Sequence, residues 1–454
     1  MDYAMAASEL ARLDVVRNLN SDQRRWIVVL DDDPTGTQTT AGAPVLLGEW
    51  TDTDLLEAGR HPSGLCFIET NSRSLDAQDA ARAVKSATLA ALRVADQSGL
   101  HLTVVSRSDS TLRGHFEPEL NAALDAFVQA GISLDGIIFA PAFFEAGRYT
   151  QGDVQWVADE SGTRPAAETE FANDATFGFS ERSLRDWVRH RWATRQGQVL
   201  TVPPHALRSL RESRDVAIVE ATTYHELIEQ VIEAYEREKS GARYLFRTGP
   251  SAVRAMSGQA QPATGDACLS RGIAGHGLVV AGSHTALTNR QLEELVLQHA
   301  PQVVELNLSL VLDDDPVSST AESRRSVDAA VTALRQGLTL LQTSRDDVPH
   351  SANALETTRW IADALAVAVR NVCEQEAPGY VIAKGGITSS DLAAKSLRCR
   401  RATVLGQAFP GQVPVWRLED GPAAGTPYVV FPGNVGSPTA LASVVSILEG
   451  KEAS

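Results

Sequence analysis

Short apolar segments alternate with helical segments along most of the chain, and this alternation is the strongest constraint on its fold. Apolar strands separated by helices are typical of βαβ units, in which helices cover both faces of a parallel sheet. In the first half, the predicted strands are 26–30, 65–69, 102–105, 136–140 and 216–219, and the predicted helices are 75–95, 118–130 and 224–238. We therefore predict an α/β fold.

The alternation stops in a small, polar segment at 257–277 and then restarts. The later predicted strands are 278–281, 303–306, 338–341, 380–383 and 429–431, with helices at 288–299, 355–376 and 438–448. Because 454 residues are too many for one ordinary core, we expect two domains joined by a linker. They are an N-terminal domain (1–256) and a C-terminal domain (278–454), each with a mainly parallel sheet flanked by helices, and the active site is expected in the cleft between them.

Charge and cysteine content limit the partners. The net charge of −16 argues against a nucleic-acid surface. No apolar run approaches the roughly 20 residues that span a bilayer, and the first 20 residues lack the apolar core of a signal peptide. The four scattered cysteines form no metal-binding spacing. We expect a soluble, cytoplasmic protein with free thiols and no membrane or nucleic-acid partner; the oligomeric state stays open, a homodimer included.

The most informative motif is Ser-Arg-Ser-Asp-Ser-Thr-Leu-Arg-Gly-His at 106–115, directly after the strand at 102–105. The fork of an Arg side chain matches carboxylate or phosphate oxygens, whereas Ser hydroxyls and Asp suit polyol groups. The motif therefore predicts a pocket for a small, anionic, hydroxylated molecule. His115 is expected to be a hydrogen-bonded structural residue.

Two neighbouring strands also end in polar residues. Asp31-Asp32-Asp33 follows the first strand, and Arg73 follows the second. In open α/β sheets ligands bind at the carboxyl ends of strands, so these acids are candidates to contact Mg²⁺ or to deprotonate a substrate hydroxyl. The alternatives are a solvated acidic turn at Asp31–Asp33, and a helix cap at Ser72 or Ser74.

The fourth strand is followed by Phe143, Phe144, Glu145 and Arg148. The two phenylalanines are expected to pack rather than to react. Arg148 has two open interpretations, because its side chain can face the pocket or can pair with Glu145.

Three strand–helix junctions in the C-terminal half are rich in small residues, at 281–285, 384–391 and 432–438. Glycines let backbone N–H groups approach an anion, and the following helix N-terminus adds a favourable dipole. None of the three matches a P-loop or a dinucleotide fingerprint. Together they favour a polyphosphate site, with Lys384 either neutralising phosphate or holding its amine in solvent. The N-terminal half carries arginines at the predicted pocket, and the C-terminal half carries glycine-rich loops. Together they suggest phosphoryl transfer.

In this order, the motifs DDDPTGTQT (31–39), TNSRS (70–74), SRSDSTLRGHFEPE (106–119), PAFFEAGRYT (141–150), KGGITSSD (384–391) and FPGNVGSP (431–438) resemble the four-carbon acid sugar kinase family. The resemblance implies a two-domain α/β enzyme that uses ATP and Mg²⁺ to phosphorylate the terminal hydroxyl of a sugar acid such as threonate, erythronate or an oxo-tetronate. Many members carry Lys where this chain has Arg107, and many have two acids and no Pro before Thr-Gly.

The resemblance also implies site residues. It assigns no residue to a metal, and whether Mg²⁺ has a direct protein ligand stays open. It places substrate contacts on Asp32 and Asp33, which we expect to be the catalytic residues. The substrate-binding residues would be Arg73, Arg107, Ser108, Asp109 and Ser110. The ATP-binding residues would be Ser283, Gly385, Gly386, Ile387, Thr388, Gly433, Asn434 and Gly436. In this hypothesis Arg73 and Arg107 hold the acceptor's carboxylate, Asp109 and Ser110 order its hydroxyls, and Asp32 or Asp33 orients or deprotonates the attacking hydroxyl.

Two other functions remain open on the sequence alone. Asp31-x-Asp33-x-Thr35 fits the nucleophile loop of haloacid-dehalogenase-type phosphatases, with Lys384 and Asp313–Asp315 as candidates for that family's later motifs. In that case Asp31 would attack phosphorus and Asp33 would act as the acid/base. A non-catalytic sugar-acid sensor would keep the N-terminal pocket and would not use ATP.

Overall fold

The structure is a computed structural model that describes residues 7–159, 162–192, 197–202, 207, 210–262, 264–265, 273–282, 285–311, 316–344, 354–385, 392–409, 411–433 and 435–451. The chain forms two compact units. The N-terminal unit comprises Met1–Leu46 and Trp50–Pro262, and the C-terminal unit comprises Leu47–Glu49 and Ala263–Ser454.

The N-terminal unit alternates strands and helices as the sequence predicts. Its strands are β1 (Arg25–Asp31), β2 (Pro44–Leu46), β3 (Leu65–Glu69), β4 (His101–Arg107), β5 (Gly136–Ala140), β6 (Arg148–Gln151), β7 (Val154–Asp159), β8 (Gly162–Pro165), β9 (Val199–Val202), β10 (Val216–Val219) and β11 (Tyr244–Thr248). Its helices are α1 (Ala7–Asp22), α2 (Asp52–Gly59), α3 (Ala77–Ser98), α4 (Phe116–Gln129), α5 (Leu184–Arg191), α6 (Tyr224–Lys239) and α7 (Pro250–Ser257).

The main sheet of this unit has the strand order β2-β3-β1-β4-β11-β5-β10-β9, with every neighbouring pair parallel. Its central strands are buried along their whole length, which explains their continuous apolar sequences. Pairing places Asp31 beside Glu69 on one side and beside Arg107 on the other, and Arg107 beside Thr248. The polar residues that follow these strands therefore meet at one edge.

Helix α3 begins later in the chain than either predicted cap allows. Its N-cap is Asp76, whose carboxylate accepts hydrogen bonds from the backbone N–H groups of Gln78 and Asp79. Ser72 and Ser74 instead form a short 3₁₀ turn (Ser72–Ser74). The prediction that one of these serines caps the helix is wrong, because Asp76 offers a stronger acceptor to the first helical turn.

An antiparallel sheet, β6-β7-β8, follows β5 and was not predicted. Its strands are short and polar, with only every second or third residue buried. A short 3₁₀ segment, Glu170–Asn173, comes after it. This small sheet matters for the site because Arg148 is its first residue.

The C-terminal unit contains the strands β12 (Gly277–Ala281), β13 (Gln302–Leu306), β14 (Thr339–Thr343), β15 (Tyr380–Lys384), β16 (Arg401–Gln407), β17 (Pro414–Leu418) and β18 (Pro427–Phe431). Its helices are α8 (Ala286–His299), α9 (Leu308–Val311), α10 (Pro316–Gln336), α11 (Ala354–Gln375) and α12 (Ala440–Leu448), with a π-helical turn at Leu392–Ser396. The strand order is β13-β14-β12-β15-β18-β17-β16, in which the pairs β18-β17 and β17-β16 are antiparallel and the other pairs are parallel.

Each unit has its own apolar core. In the N-terminal unit Trp26, Phe139 and Trp187 lie between the sheet and its helices, and in the C-terminal unit Val279 and Phe431 do the same. Burying such a side chain contributes about 1.5–3 kcal/mol. The predicted α/β fold with a mainly parallel sheet in each domain is therefore correct.

Within the described residues, no helix is both long enough and apolar enough to span a bilayer. Cys66, Cys373 and Cys399 are free thiols, as expected, and all three are buried. Burial raises the pKa of each of these thiols, which disfavours the reactive thiolate. Cys268 lies outside the described residues.

Candidate active site

Asp32 accepts hydrogen bonds from two arginines that arrive from neighbouring strands. Its Oδ1 accepts from Arg73 Nη2 at 2.9 Å and from Arg107 Nη1 at 3.0 Å, and its Oδ2 accepts from Arg73 Nε at 3.1 Å. Asp32 and Arg107 are almost fully buried, and Arg73 is one-fifth exposed. Asp32 therefore fixes the positions of both guanidiniums. Its negative charge also neutralises part of their positive charge.

Asp33 is the more accessible of the two predicted catalytic acids. Its side chain is 19% exposed, whereas that of Asp32 is 1% exposed. Oδ1 accepts hydrogen bonds from the Thr35 N–H and hydroxyl at 2.9 and 2.6 Å, and Oδ2 lies 3.4 Å from Arg73 Nη1. Burial acts to raise the pKa of Asp33, but the charges of Arg73 and Arg107 outweigh it and the pKa is lowered. Asp33 is thus ionised at neutral pH.

Asp31 has the opposite electrostatic environment. It is fully buried, and burial, reinforced by the charges of Asp32 and Asp33, raises its pKa to about 7 despite Arg107 Nη1 at 3.2 Å. A Cβ atom on Gly36 would lie only 1.9 Å from Asp31 Oδ2, so the loop packs directly on this carboxyl. Asp31 therefore packs beneath the loop that carries Asp32 and Asp33, and a substrate cannot reach its carboxyl group.

Glu69 extends this acidic layer. It is the register partner of Asp31 on β3, and its side chain is also buried. Burial first, and then the charges of Asp31 and Asp33, raise its pKa well above its usual value. Since both partners favour their neutral forms, we expect the pair to hold a proton at neutral pH.

The 106–115 motif forms a tight turn around Asp109. The Asp109 carboxylate accepts hydrogen bonds from the Thr111 N–H at 3.2 Å, from the Thr111 hydroxyl and from Arg113 Nε at 2.6 Å. Although burial opposes ionisation, the charges of Arg113, Arg73 and Arg148 lower the pKa of Asp109 far below its usual value. Ser108 and Ser110 are buried beside it. Asp109 is therefore ionised at neutral pH, and it lies within a cluster of arginines.

Arg148 faces this cluster and does not pair with Glu145. Glu145 instead accepts from Arg254 Nη1 at 3.0 Å, from the Tyr224 hydroxyl at 2.6 Å and from the Ser251 hydroxyl at 2.7 Å. The charge on Asp109 is the largest electrostatic influence on Arg148. Of the two interpretations left open by the sequence, the pairing with Glu145 is wrong, because Arg254 takes Glu145. That Arg148 faces the substrate pocket stays a prediction.

Behind the site, Glu119 and Arg247 form a buried ion pair that sequence reasoning missed. Glu119 also accepts from Ser72 Oγ at 2.6 Å, and Arg247 Nη1 donates to Ser106 Oγ at 2.6 Å. The network connects the ends of β3, β4 and β11 to helix α4. The sequence offers one indication of this pair. Glu119 lies in the motif at 106–119 and in a predicted helix, and an acid that such a helix buries needs a partner.

His115 and the two phenylalanines have the structural roles expected of them. The His115 Nε2 atom is 2.9 Å from the Leu75 carbonyl oxygen, and its ring meets Phe177 edge to face with centroids 4.9 Å apart. Phe143 and Phe144 are both buried.

In the C-terminal unit, the strands that precede the three small-residue loops are adjacent. Ala281 pairs with Lys384, which in turn pairs with Phe431, so the loops after β12, β15 and β18 leave the same edge. Gly385 N donates to Phe431 O at 2.8 Å, and Thr288 Oγ1 donates to Gly433 O at 3.1 Å. The residues Ser283, Gly386, Ile387, Thr388 and Asn434 lie outside the described residues.

Lys384 is fully buried at this edge, so the expectation of an amine in solvent is wrong. Nζ donates to Pro432 O at 2.7 Å and lies 4.3 Å from the centroid of the Phe431 ring. Burial lowers the pKa of Lys384 to about 7. Gly436, with φ of +85°, adopts a backbone conformation that favours glycine.

Family models match both halves of the chain. A sugar-binding N-terminal domain matches residues 27–256, and a nucleotide-binding C-terminal domain matches residues 278–441. The chain belongs to the four-carbon acid sugar kinase family. The predicted family is therefore confirmed.

Named relatives in this family cover nearly the whole chain. The chain is 26% identical to a D-threonate kinase of Bordetella bronchiseptica, over 90% of this chain and 94% of the relative. It is 25% identical to a D-erythronate kinase of Heliobacterium modesticaldum, over 93% of this chain and 97% of the relative.

Two solved structures share the fold. A Haemophilus influenzae protein has a TM-score of 0.60 at 17% identity, covering 93% of this chain and all of that one. A Salmonella typhimurium protein has a TM-score of 0.64 at 18% identity, covering 92% of this chain and 98% of that one.

In the N-terminal unit, Asp32 contacts both Arg73 and Arg107, and Asp33 contacts Arg73. The charge of Asp109 also acts on Arg73. Their individual roles stay predictions. Among the described residues, no group of three or more His, Cys, Asp and Glu side chains is arranged to hold a metal ion.

Proposed function

We propose that this protein is an ATP-dependent kinase that phosphorylates the terminal hydroxyl of a four-carbon sugar acid. The observation that carries the proposal is Asp33, an ionised and partly exposed carboxylate beside the paired arginines of a sugar-binding domain. The names of the relatives, D-threonate kinase and D-erythronate kinase, give the first two acceptors to test.

Asp33 is better placed than Asp32 to act on the acceptor. The Asp32 carboxylate accepts its hydrogen bonds from Arg73 and Arg107, and its side chain is closed to solvent. Asp33 can accept a hydrogen bond from the acceptor's terminal hydroxyl and orient its oxygen toward phosphorus. That oxygen bonds to the γ-phosphorus as the bond from phosphorus to the β–γ bridging oxygen breaks, ADP leaves, and the hydroxyl proton passes to Asp33 or to water.

The nucleotide is assigned to the C-terminal unit, where Gly385, Gly433 and Gly436 border the loops and Lys384 supplies a buried amine. These groups suit phosphate oxygens, since glycine loops expose backbone N–H groups and an amine neutralises charge. Mg²⁺ neutralises phosphate charge in such reactions and commonly binds through the nucleotide and water, a mode that needs few protein ligands. We predict that the acceptor and the nucleotide meet in a cleft between the domains. A homodimer and a cytoplasmic location also stay predictions.

The phosphatase alternative is disfavoured by the burial of Asp31. A nucleophilic carboxylate must reach phosphorus, whereas the Asp31 side chain has no exposed surface and lies against Gly36. Its pKa of about 7 also leaves much of it protonated at neutral pH. Asp313–Asp315, candidates for a later phosphatase motif, lie outside the described residues.

A coupled assay of ADP release over a panel of four-carbon sugar acids tests the proposed function. The panel contains both stereoisomers of threonate and erythronate and their oxo relatives, each with ATP and Mg²⁺. We expect ADP release that depends on at least one acid. If no acid stimulates ADP release and calorimetry detects no ATP binding, the kinase assignment is wrong and the sensor alternative gains support.

A further inference from the structure

We propose that Arg148 binds the carboxylate of the acceptor and so selects acids over neutral polyols. This inference rests on the proposed function and names the part of the site that recognises the substrate's charge. It changes the hypothesis drawn from the sequence, in which Arg73 and Arg107 have that role.

Arg73 and Arg107 already have anionic partners. Arg73 forms ion pairs with Asp32 at 2.9 Å and with Asp33 at 3.4 Å, and Arg107 forms them with Asp32 at 3.0 Å and with Asp31 at 3.2 Å. Three carboxyl groups thus face two guanidiniums. Such a cluster is a poor place for a further carboxylate, because Asp32 and Asp33 already pair with its two guanidiniums.

Among the residues that the structure describes, Arg148 forms no such ion pair. Its Nε atom is buried, and within this part of the chain it has no hydrogen-bond acceptor. Its guanidinium carbon lies 5.4 Å from the centroid of the Phe171 ring and 5.7 Å from that of Phe143. Aromatic faces hold the cation in place without neutralising it. The two rings therefore fix the orientation of Arg148, and its guanidinium can still bind an anion.

Charged side chains of both signs surround Arg148. Arg113 stacks on the same Phe171 ring, at 4.9 Å, and its Nε donates to the carboxylate of Asp109 at 2.6 Å. Burial lowers the pKa of Arg148, and the like charges of Arg113 and Arg107 lower it further, while the charges of Asp109 and Glu170 oppose this shift. Arg148 remains charged in any case. A carboxylate that bound beside Arg148 would compensate a positive charge that burial disfavours.

Acid recognition at Arg148 can be combined with phosphorylation of the far end of the acceptor. Arg148 shares the Phe171 ring with Arg113, whose Nε donates to Asp109, and the charge of Asp109 acts on Arg73, the partner of Asp33. A carboxylate on Arg148 and a hydroxyl on Asp33 would use the two ends of one short chain. The intervening hydroxyls would then lie near Asp109 and Ser110.

The test measures acceptor binding and turnover in wild type, Arg148→Gln and Arg148→Lys. For the Gln variant we expect the KM and calorimetric Kd for threonate or erythronate to rise about 10-fold to 150-fold, the value of a hydrogen bond to a charged group. The KM for ATP should change less than about 3-fold. A neutral four-carbon alditol, used as a weak acceptor or competitor, should bind equally to wild type and the Gln variant. The Lys variant should lie between them in acid affinity, because it keeps the charge and loses the fork.

Arg182→Gln is the matched control. Arg182 also stacks on an aromatic ring of the small sheet, that of Trp156 at 5.9 Å, but its side chain is 60% exposed. This variant should behave as wild type. Thermal unfolding checks that each variant is folded, and if Arg148→Gln is unfolded, the Lys variant decides the test.

The outcomes separate the inference from the proposed function. An unchanged acid affinity in Arg148→Gln overturns the inference, and so does an equal loss for the acid and the alditol. If wild type binds the acid, Arg148→Gln does not, and no phosphorylated product forms, the inference survives and the proposed function fails. If wild type binds no sugar acid at all, both are wrong.

Discussion

Arg107 donates a hydrogen bond from Nη1 to Oδ1 of Asp32 over 3.0 Å, and both side chains are almost completely buried. The pair joins the ends of β1 and β4 at the level where Asp31 and Arg107 are register partners. Buried charges of this kind fix geometry more surely than they add stability, because their desolvation offsets much of their attraction. Asp32 is therefore the residue that positions the arginines, and we expect Asp33 to be the one that meets the acceptor.

Breaking this pair should destabilise the N-terminal unit. Arg107→Met leaves Asp31 and Asp32 without their shared cation, and removal of one partner of a buried ion pair costs about 3–5 kcal/mol. Urea unfolding measures the free energy of unfolding. Arg93→Met, which removes an exposed ion pair with Asp52, is the control and should cost less than about 1 kcal/mol. Equal losses in the two variants would contradict the structural role of Arg107.

Asp33→Asn should reduce turnover without unfolding the protein. The amide keeps the shape of the side chain but cannot take the proton of the acceptor hydroxyl, so kcat should fall about 100-fold to 10,000-fold. The KM for ATP should stay within a few-fold of the wild-type value. Asp159→Asn, at an exposed acid that pairs with Arg164, serves as the control for charge removal. A kcat for Asp33→Asn close to that of wild type would exclude Asp33 from the reaction.

The raised pKa of Asp31 predicts how stability changes with pH. In the unfolded chain an Asp loses its proton near pH 4, whereas in the folded protein Asp31 keeps it up to about pH 7. Unfolding therefore releases this proton between these pH values, and the contribution of Asp31 to the free energy of unfolding falls as the pH rises from about 4 to 7. Denaturation of wild type and Asp31→Asn at pH 5 and pH 8 measures the effect. The variant should lose less stability over this interval.

The same variant separates the kinase from the phosphatase. Since Asp31 is buried beneath the site and closed to the acceptor, Asp31→Asn should retain measurable ATP-dependent activity. A phosphatase that uses Asp31 as its nucleophile would lose all turnover. Complete loss of activity in a folded Asp31→Asn protein would thus contradict the supporting role of Asp31 and favour the phosphatase.

Nucleotide binding should be accompanied by proton uptake at Lys384. With a pKa of about 7, its buried amine is largely neutral at pH 8, and nearby phosphate charge favours the protonated form. Calorimetry of ATP binding at pH 8, in buffers of different ionisation enthalpy, measures the uptake directly. Lys384→Met should abolish the uptake and weaken ATP binding, whereas Lys395→Met, at an exposed lysine that pairs with Asp363, should change neither. Buffer-independent enthalpies for wild type would contradict this role.

The strands that carry the site could be predicted because their residues are continuously apolar and end in polar motifs. This holds for β1, β3 and β4. Strand β11 was missed because Arg247 interrupts a short apolar run, and the burial of that arginine depends on Glu119, which is 128 residues away in the chain. Sequence periodicity carries no information about such a partner.

The partner of Arg148 could not be chosen from the sequence for a similar reason. Glu145 is close to Arg148 in the chain, but Arg254 of helix α7 reaches it in the folded unit, over a separation of 109 residues. The small sheet was missed as well, since its strands are short and only partly buried. Local spacing selected the candidate residues of the site, whereas their ion-pair partners depend on tertiary contacts that the sequence does not show.

Identification of the reaction product tests the proposed kinase activity most directly. Wild type and Asp33→Asn are incubated with ATP, Mg²⁺ and threonate or erythronate, and the products are resolved by phosphorus NMR and mass spectrometry. We predict a phosphate monoester on the terminal carbon of the acid, formed in step with ADP by wild type and far more slowly by the variant. Release of inorganic phosphate alone, or ADP formation that is independent of the acid, would contradict the proposed activity.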